Sequence, residues 1–401
     1  MRGRAAKTVL LLACLSVLLS GCWSRKELNE LAVVVALGID LHKNGYAVTA
    51  QVLNPNEVRT QKSTSGATPV ITYSSEGRTV PDALQRMLIE APRMLYLSHV
   101  RVLVFGEALA RKGLSDTLDF ISRNQQLRTD FFLLVSRGAQ AADVLKIVTP
   151  FEHVPANSLY TSIVISHQKW AATGKVTLQK FITELGREGS NPVLSGVHVT
   201  GSAEKGSSLG NLHKIDPDAL LQHAGLGVFE EDRLVGWLDE SSSKTANYVL
   251  DEVHTTIGYV PCPGSGIAGV EIVHSDSDID VSLGEDGKPE FTVRLDVETN
   301  LNAAECSMDL SKPATIENIQ EKLNEKFARS LEGNIHEVQT KYGADIFGFG
   351  EVLHRKYPSV WAKYRERWKD SFGGMKVSVE ADVTIRRIGS IVQPVRREMR
   401  E

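Results

Sequence analysis

Six residues near the start of the chain, LLSGCW (residues 18–23), place a thiol directly after a small residue and a glycine. A cysteine in that position is a nucleophile that an enzyme of lipid transfer can alkylate. The other stretches with chemical promise fail on their context. GSGIAG, Gly264 to Gly269, has the G-x-G-x-x-G spacing of a phosphate-cradling loop. Such a loop must follow a strand and open a helix, whereas this one follows Pro261-Cys262-Pro263 and runs into the β-like VEIV, so it reads as a glycine-rich turn. DSDID, Asp276 to Asp280, invites a calcium reading. An EF-hand loop starting at Asp276 would need a glycine where Val281 stands and a carboxylate where Gly287 stands, and the run reads instead as a solvated strand edge. The eleven histidines form no H-E-x-x-H and no paired Cys/His spacing for zinc. There is no G-x-S-x-G elbow and no P-loop. The expectation is a protein with no catalytic residues, no metal and no cofactor, although carboxylate pairs assembled only by folding are invisible at this level.

The thiol at position 22 gains meaning from what precedes it. Arg2, Arg4 and Lys7 are followed by the apolar run Val9 to Ser20. A helix of about 12 residues is about 18 Å long, too short for the ~30 Å hydrocarbon core of a bilayer. Two readings remain, an ordinary cleaved secretory peptide and its lipoprotein variant, in which Leu19-Ser20-Gly21-Cys22 resembles the lipobox of bacterial lipoproteins. The cysteine at the cleavage position favours the second. In that reading residues 1–21 are removed and Cys22 becomes the lipid attachment site. Two acyl chains at ~0.8 kcal/mol per buried methylene give lasting attachment where one would be marginal.

Composition bounds the remainder. Loss of the three basic leader residues takes the formal net charge from −4 to −7. No segment concentrates Lys and Arg, which argues against nucleic acid as a partner. With 42% hydrophobic residues the chain can bury sizeable cores, and its length suggests two or three domains. Of four cysteines, Cys14 leaves with the leader and Cys22 takes lipid. Cys262 and Cys306 could form a disulfide, adding ~4 kcal/mol on the chain-entropy model, or could equally be two free, buried thiols.

The elements that would carry these residues follow from periodicity. A short polar helix leads to the apolar run LAVVVALGI, which pairs with Tyr46 to Leu53 across a turn at Lys43-Asn44-Gly45. Residues 54–78, rich in Ser, Thr, Gly and Pro, read as a flexible excursion. Thr79 caps a helix whose Leu84, Met87, Leu88 and Ala91 share one face. HVRVLVFG then alternates as a strand, LARKGLSDTLDFISRN is helical, and DFFLLVSRG is a buried-type strand. This order predicts an N-terminal α/β domain over 22–195. A C-terminal α/β region over 196–395, with room for two subdomains, begins with an exposed loop at 201–212. Within it, two strands flank Glu231-Asp232-Arg233 and a hairpin turns at Asp286-Gly287. A long helix over 314–343 carries one apolar stripe, Ile316 to Tyr342, that must pack on a sheet. The aromatic row Tyr357, Trp361, Tyr364, Trp368 and Phe372 could be a ligand face or a partner face, but aromatic spacing of this kind is usually core. The fold class expected is α/β with mixed sheets flanked by helices.

Several stretches together resemble one family. GCW followed by KELNELAVVVALGID, then GRTVPDALQRM, APRMLYLSHVRVLVFGEALARKGL, GLGVFEEDRLVGWL and DIFGFGEVLHRKYPSVWAKYRERW are similar to the Ger(x)C family, the lipoprotein C subunits of GerA-type spore germinant receptors. The resemblance implies three α/β domains and a place on the outer face of the cytoplasmic membrane, the inner membrane of a spore. It also implies work beside germinant receptor A and B subunits in the response to nutrients. Cys22 matches the family's lipidation site, and the family supplies no catalytic residue to transfer. Two other classes stay open, a solute-binding lipoprotein of a transport system and a surface hydrolase.

Overall fold

The long apolar runs become strands of two sheets. The computed structural model describes Gly3 and residues 27–55, 68–262, 266–305 and 309–389. Leu19, Ser20, Gly21, Cys22 and Cys306 lie outside the described residues. The larger sheet contains β1 (Leu31–His42), β2 (Gly45–Leu53), β3 (Val70–Gly77), β4 (Met94–Tyr96), β5 (Val102–Gly106), β6 (Phe132–Ser136), β7 (Val193–Gly201), β8 (Ala219–Glu230) and β9 (Arg233–Trp237). Their order is β3-β2-β1-β5-β6-β7-β8-β9, with β4 pairing the first residues of β1. The centre β1-β5-β6-β7 is parallel and both flanks are antiparallel.

A parallel centre must be covered on both faces, and its strands are therefore mostly apolar on both sides. Leu103, Phe105, Leu133 and Val135 point to one side, Val102, Val104, Phe132 and Leu134 to the other, and all are buried. The covering helices are α1 (Val80–Arg86), α2 (Glu107–Lys112), α3 (Ser115–Arg123), α4 (Ala141–Lys146), α5 (Pro155–Lys169) and α6 (Leu178–Leu185). Ala83, Leu109, Leu118, Ile121 and Phe181 close the first face. Ala141, Val144, Leu145, Leu159 and Ile163 close the second. Inside the sheet, Asp40 accepts from the N–H groups of Ala141 and Ala142, which seats the start of α4 on β1.

The smaller sheet is β10 (Thr256–Pro261), β11 (Ile267–Leu283), β12 (Pro289–Ala304) and β13 (Lys376–Arg387), antiparallel until β13 joins β12 in parallel. Before it come α7 (Ala203–Gly206) and α8 (Glu240–Val249); the crossover from β12 to β13 carries α9 (Pro313–Tyr342), α10 (Phe349–Lys356), α11 (Pro358–Tyr364) and α12 (Trp368–Phe372). The stripe on α9 packs as its spacing requires: Ile319, Leu323, Phe327, Leu331, Ile335 and Val338 are all buried. Each such side chain contributes about 1.5–3 kcal/mol relative to exposure. Gly343, at φ 61°, ends the helix in the left-handed conformation that favours glycine. The same helix shields a sheet edge. Side-chain oxygens of Gln320, Asn324 and Glu332 accept from the backbone N–H groups of Ile385, Val383 and Val379, so β13 offers no run of open donors to another chain.

Four expectations change. Within 54–78, Val70–Gly77 is β3, because eight residues pair in register with β2. The junction expected between 195 and 196 falls inside β7, and the sheet continues to Trp237, because β8 and β9 pair on in sequence. Residues 201–212 hold α7 and a 3-10 turn rather than an exposed loop, since Asn211 is buried and its side chain bonds Val148 and Ala219. Leu88 leaves the face it was expected to share with Met87, because the helix tightens to a 3-10 turn after Arg86.

Candidate functional site: the seam between the two sheets

The stretch DIFGFGE supplies a close joint between the two halves. Asp345 is 0% exposed and its carboxylate accepts five N–H bonds. Phe347, Gly348 and Phe349 donate to Oδ1 at 3.2, 2.9 and 3.2 Å, while Gly350 and the Trp368 indole donate to Oδ2 at 2.7 and 3.1 Å. Gly348 turns through φ 80°, which lets successive amides converge on one carboxylate at the start of α10. Burial pushes this carboxyl up to about 6, and the donors Gly350, Phe349, Trp368 and Gly348 oppose that shift. The backbone of Asp345 exchanges bonds with Asn191: Asn191 N–H donates to the Asp345 carbonyl at 2.7 Å and Asp345 N–H to Asn191 Oδ1 at 2.9 Å. Beside this pair, a Cβ on Gly350 would lie 2.6 Å from Gly189 Cα. The two backbones meet only because both residues are glycine. Trp361 completes the joint by donating to Glu188 at 3.2 Å.

A second joint lies around Glu252. His167, 2% exposed, faces the Thr173 carbonyl with Nδ1 at 2.9 Å and Glu252 Oε2 with Nε2 at 3.3 Å. Each ring nitrogen thus faces an oxygen. Lys180 donates to Glu252 Oε1 at 2.6 Å. The bond from His167, burial acting against it, and then Lys180 leave the Glu252 carboxyl lowered to about 2. Asn247 bonds the carbonyls of Ala171 and Thr173, and Thr256 bonds that of Trp170. Segments 166–180 and 247–256 are thereby stitched together.

The carboxylates of both joints are engaged in bonds that tie segments together. Ser162 Oγ lies 3.0 Å from His223 Nε2, but the same hydroxyl donates to the Leu159 carbonyl and no carboxylate orients the ring. Burial lowers that histidine to about 4. A groove of about 600 Å³ between α8, α9 and β10 holds Lys326, whose ammonium is spent on the Tyr259 carbonyl at 2.6 Å and lies 3.6 Å over the Tyr259 ring. Among the described residues no three His, Cys, Asp or Glu side chains are grouped to hold a metal ion. No helix among them is long and apolar enough to cross a membrane.

Of the residues singled out in sequence, Cys262 is described. It follows β10, is 8% exposed and is disulfide-bonded, while Cys306 and the segment Leu19 to Cys22 fall outside the described residues. Gly264 does so too, and Gly266, at φ 94°, leads straight into β11 as a turn should. DSDID lies within β11. Trp361, Trp368 and Phe372 are buried together as expected of core. Asp345, Asn191, His167 and Glu252 carried no local signal of their roles. The glycines of DIFGFGE were the one hint of a special turn.

Comparison with known proteins agrees with this architecture. Residues 24–199 match the spore germination protein N-terminal domain, and residues 224–389 match the spore germination B3/GerAC-like C-terminal domain. Spore germination protein KC of Bacillus subtilis (strain 168) is 29% identical over 393 residues, covering 96% of each chain. Spore germination protein B3 of the same organism is 24% identical over 384 residues, covering 93% of this chain and 95% of its own. The crystal structure of the GerBC protein superposes with a TM-score of 0.56 at 19% identity, over 87% of this chain and 96% of that one, so the fold is shared. With both halves matched in order and relatives alike along nearly their whole length, the chain belongs to the Ger(x)C family of spore germination proteins.

Proposed function

We propose that this chain is the non-enzymatic lipoprotein C subunit of a spore nutrient germinant receptor. It is anchored through a diacylglyceryl group on Cys22 to the outer face of the cytoplasmic membrane, which in the spore is the inner membrane. The observation that carries this reading is the order of three signals: a basic and then apolar leader, Leu19-Ser20-Gly21-Cys22, and a body similar to spore germination proteins over almost its full length. The lipid confines the protein to two dimensions and raises the effective concentration of its weak contacts with the A and B subunits. Its role is to support assembly of the receptor and its nutrient response.

The test is Cys22→Ala. The variant should fold normally, be lost from the membrane fraction and weaken the nutrient response; retention at the wild-type level refutes the anchor. Affinity recovery of the lipidated protein from spore membranes should bring the A and B subunits with it. Recovery of a transport permease instead would assign the chain to a solute-binding role. We also propose that the partner of Cys262 is Cys306, to be checked by peptide mapping without reduction.

A further inference from the structure

One end of the larger sheet carries apolar side chains that folding leaves uncovered. After Arg86 the helix α1 tightens into the 3-10 turn Met87–Ile89. With three residues per turn instead of 3.6, the facing of each side chain shifts. Met87 stays in the core at 2% exposure while Leu88 and Ile89 stand out at 39% and 85%. Met94, five residues on, begins β4 and is 50% exposed, with Arg93 exposed beside it. β4 pairs in parallel with the start of β1, Met94 opposite Leu31. This ledge therefore flanks the place where the chain enters the fold.

Single exposed apolar residues are ordinary on any protein. Three lie within seven residues, and the last of them, Met94, stands beside the root of the tether. Nine positions separate Leu31 from Cys22, a reach of at most about 30 Å even for a fully extended chain. Cys22 is held within that distance of Leu31, whose partner across the β1–β4 pairing is Met94. We propose that these three side chains, with Arg93 at their rim, form the face on which the protein rests against the lipid bilayer. The inference builds on the lipidation of Cys22 proposed above and adds an orientation to it. The contact area is too small to retain the protein without the acyl chains; with them, local concentration is high enough for it to set which way up the body stands. β1 then rises from the membrane, and Leu41, 36% exposed near its far end, sits about 33 Å further out.

The experiment uses the full lipidated chain in vesicles of phosphatidylglycerol and phosphatidylethanolamine, with the photo-reactive residue p-benzoylphenylalanine at position 89 or at position 41. Mass spectrometry first checks the lipid on Cys22, and flotation checks attachment. Position 89 should give severalfold more lipid adduct than position 41. Equal yields from a lipidated, floating protein overturn the orientation while leaving the anchor standing. An unmodified Cys22 removes both. In spore membranes the residue at position 89 should again capture lipid, and capture of a protein there would assign the ledge to a subunit and overturn the proposal.

Discussion

The two joints between the sheets hold a carboxylate by opposite means. Asp345 is wholly buried and is surrounded by neutral N–H groups, four of them from the backbone turn that follows it. Glu252 is partly exposed and is held by side chains, the His167 ring and the Lys180 ammonium. Preorganised dipoles can keep a charge in the interior without taking a second ion out of water. Counter-charges near the surface are cheaper to assemble, but they are screened by salt and answer to pH. The first joint should therefore set the stability of the seam, and the second should tune it.

Substitution at the centre of the first joint would break this comparison most sharply. Asp345→Asn keeps the shape but turns an NH₂ toward donors, and it should cost about 2–4 kcal/mol in urea unfolding; an unchanged midpoint would show that the five bonds contribute nothing. Gly350→Ala would place a Cβ 2.6 Å from Gly189 Cα. About 1–3 kcal/mol is expected, less than additive with Asp345→Asn because both loosen one seam. Glu252→Gln should cost about 1–2 kcal/mol near neutral pH.

The two carboxyls also carry opposite pH signatures. Glu252 is depressed from 4.5 to about 2 in the fold, so the stability it contributes is fully present above about 4.5 and is lost as pH falls toward 2. Asp345 is raised from 3.8 to about 6. The folded state then binds more protons than the unfolded one between these values, and stability declines as pH rises through them. Stability measured against pH should lose its acid limb in Glu252→Gln and its decline above pH 4 in Asp345→Asn. The smallest effect belongs to Lys180→Met. That side chain is 36% exposed, so a loss under about 1 kcal/mol that shrinks further in high salt is expected; a larger, salt-independent loss would place the two joints in one class.

Local signals made much of the smaller sheet legible in advance. The stripe on α9 repeats within one helix and ends at Gly343. The β11–β12 hairpin announces itself by alternation on both sides of Asp286-Gly287. In the larger sheet, β1, β5 and β6 were readable as apolar runs, while β3 was hidden in a polar composition and its pairing with β2 had to be seen. Leu88 fitted the helical spacing and was still turned outward, since a change from α to 3-10 geometry leaves no mark in periodicity.

By itself the amino-acid sequence determined the basic and then apolar run that ends at Cys22, the alternation of strand and helix, and the family resemblance, because each depends on residue types a few positions apart. Tertiary structure alone decided that β7, β8 and β9 extend the first sheet, and that Asp345 meets Asn191 across 154 positions and Glu252 meets His167 across 85. Such pairings follow from how whole elements pack, and the stability of a buried charge depends on donors that only the finished fold brings around it.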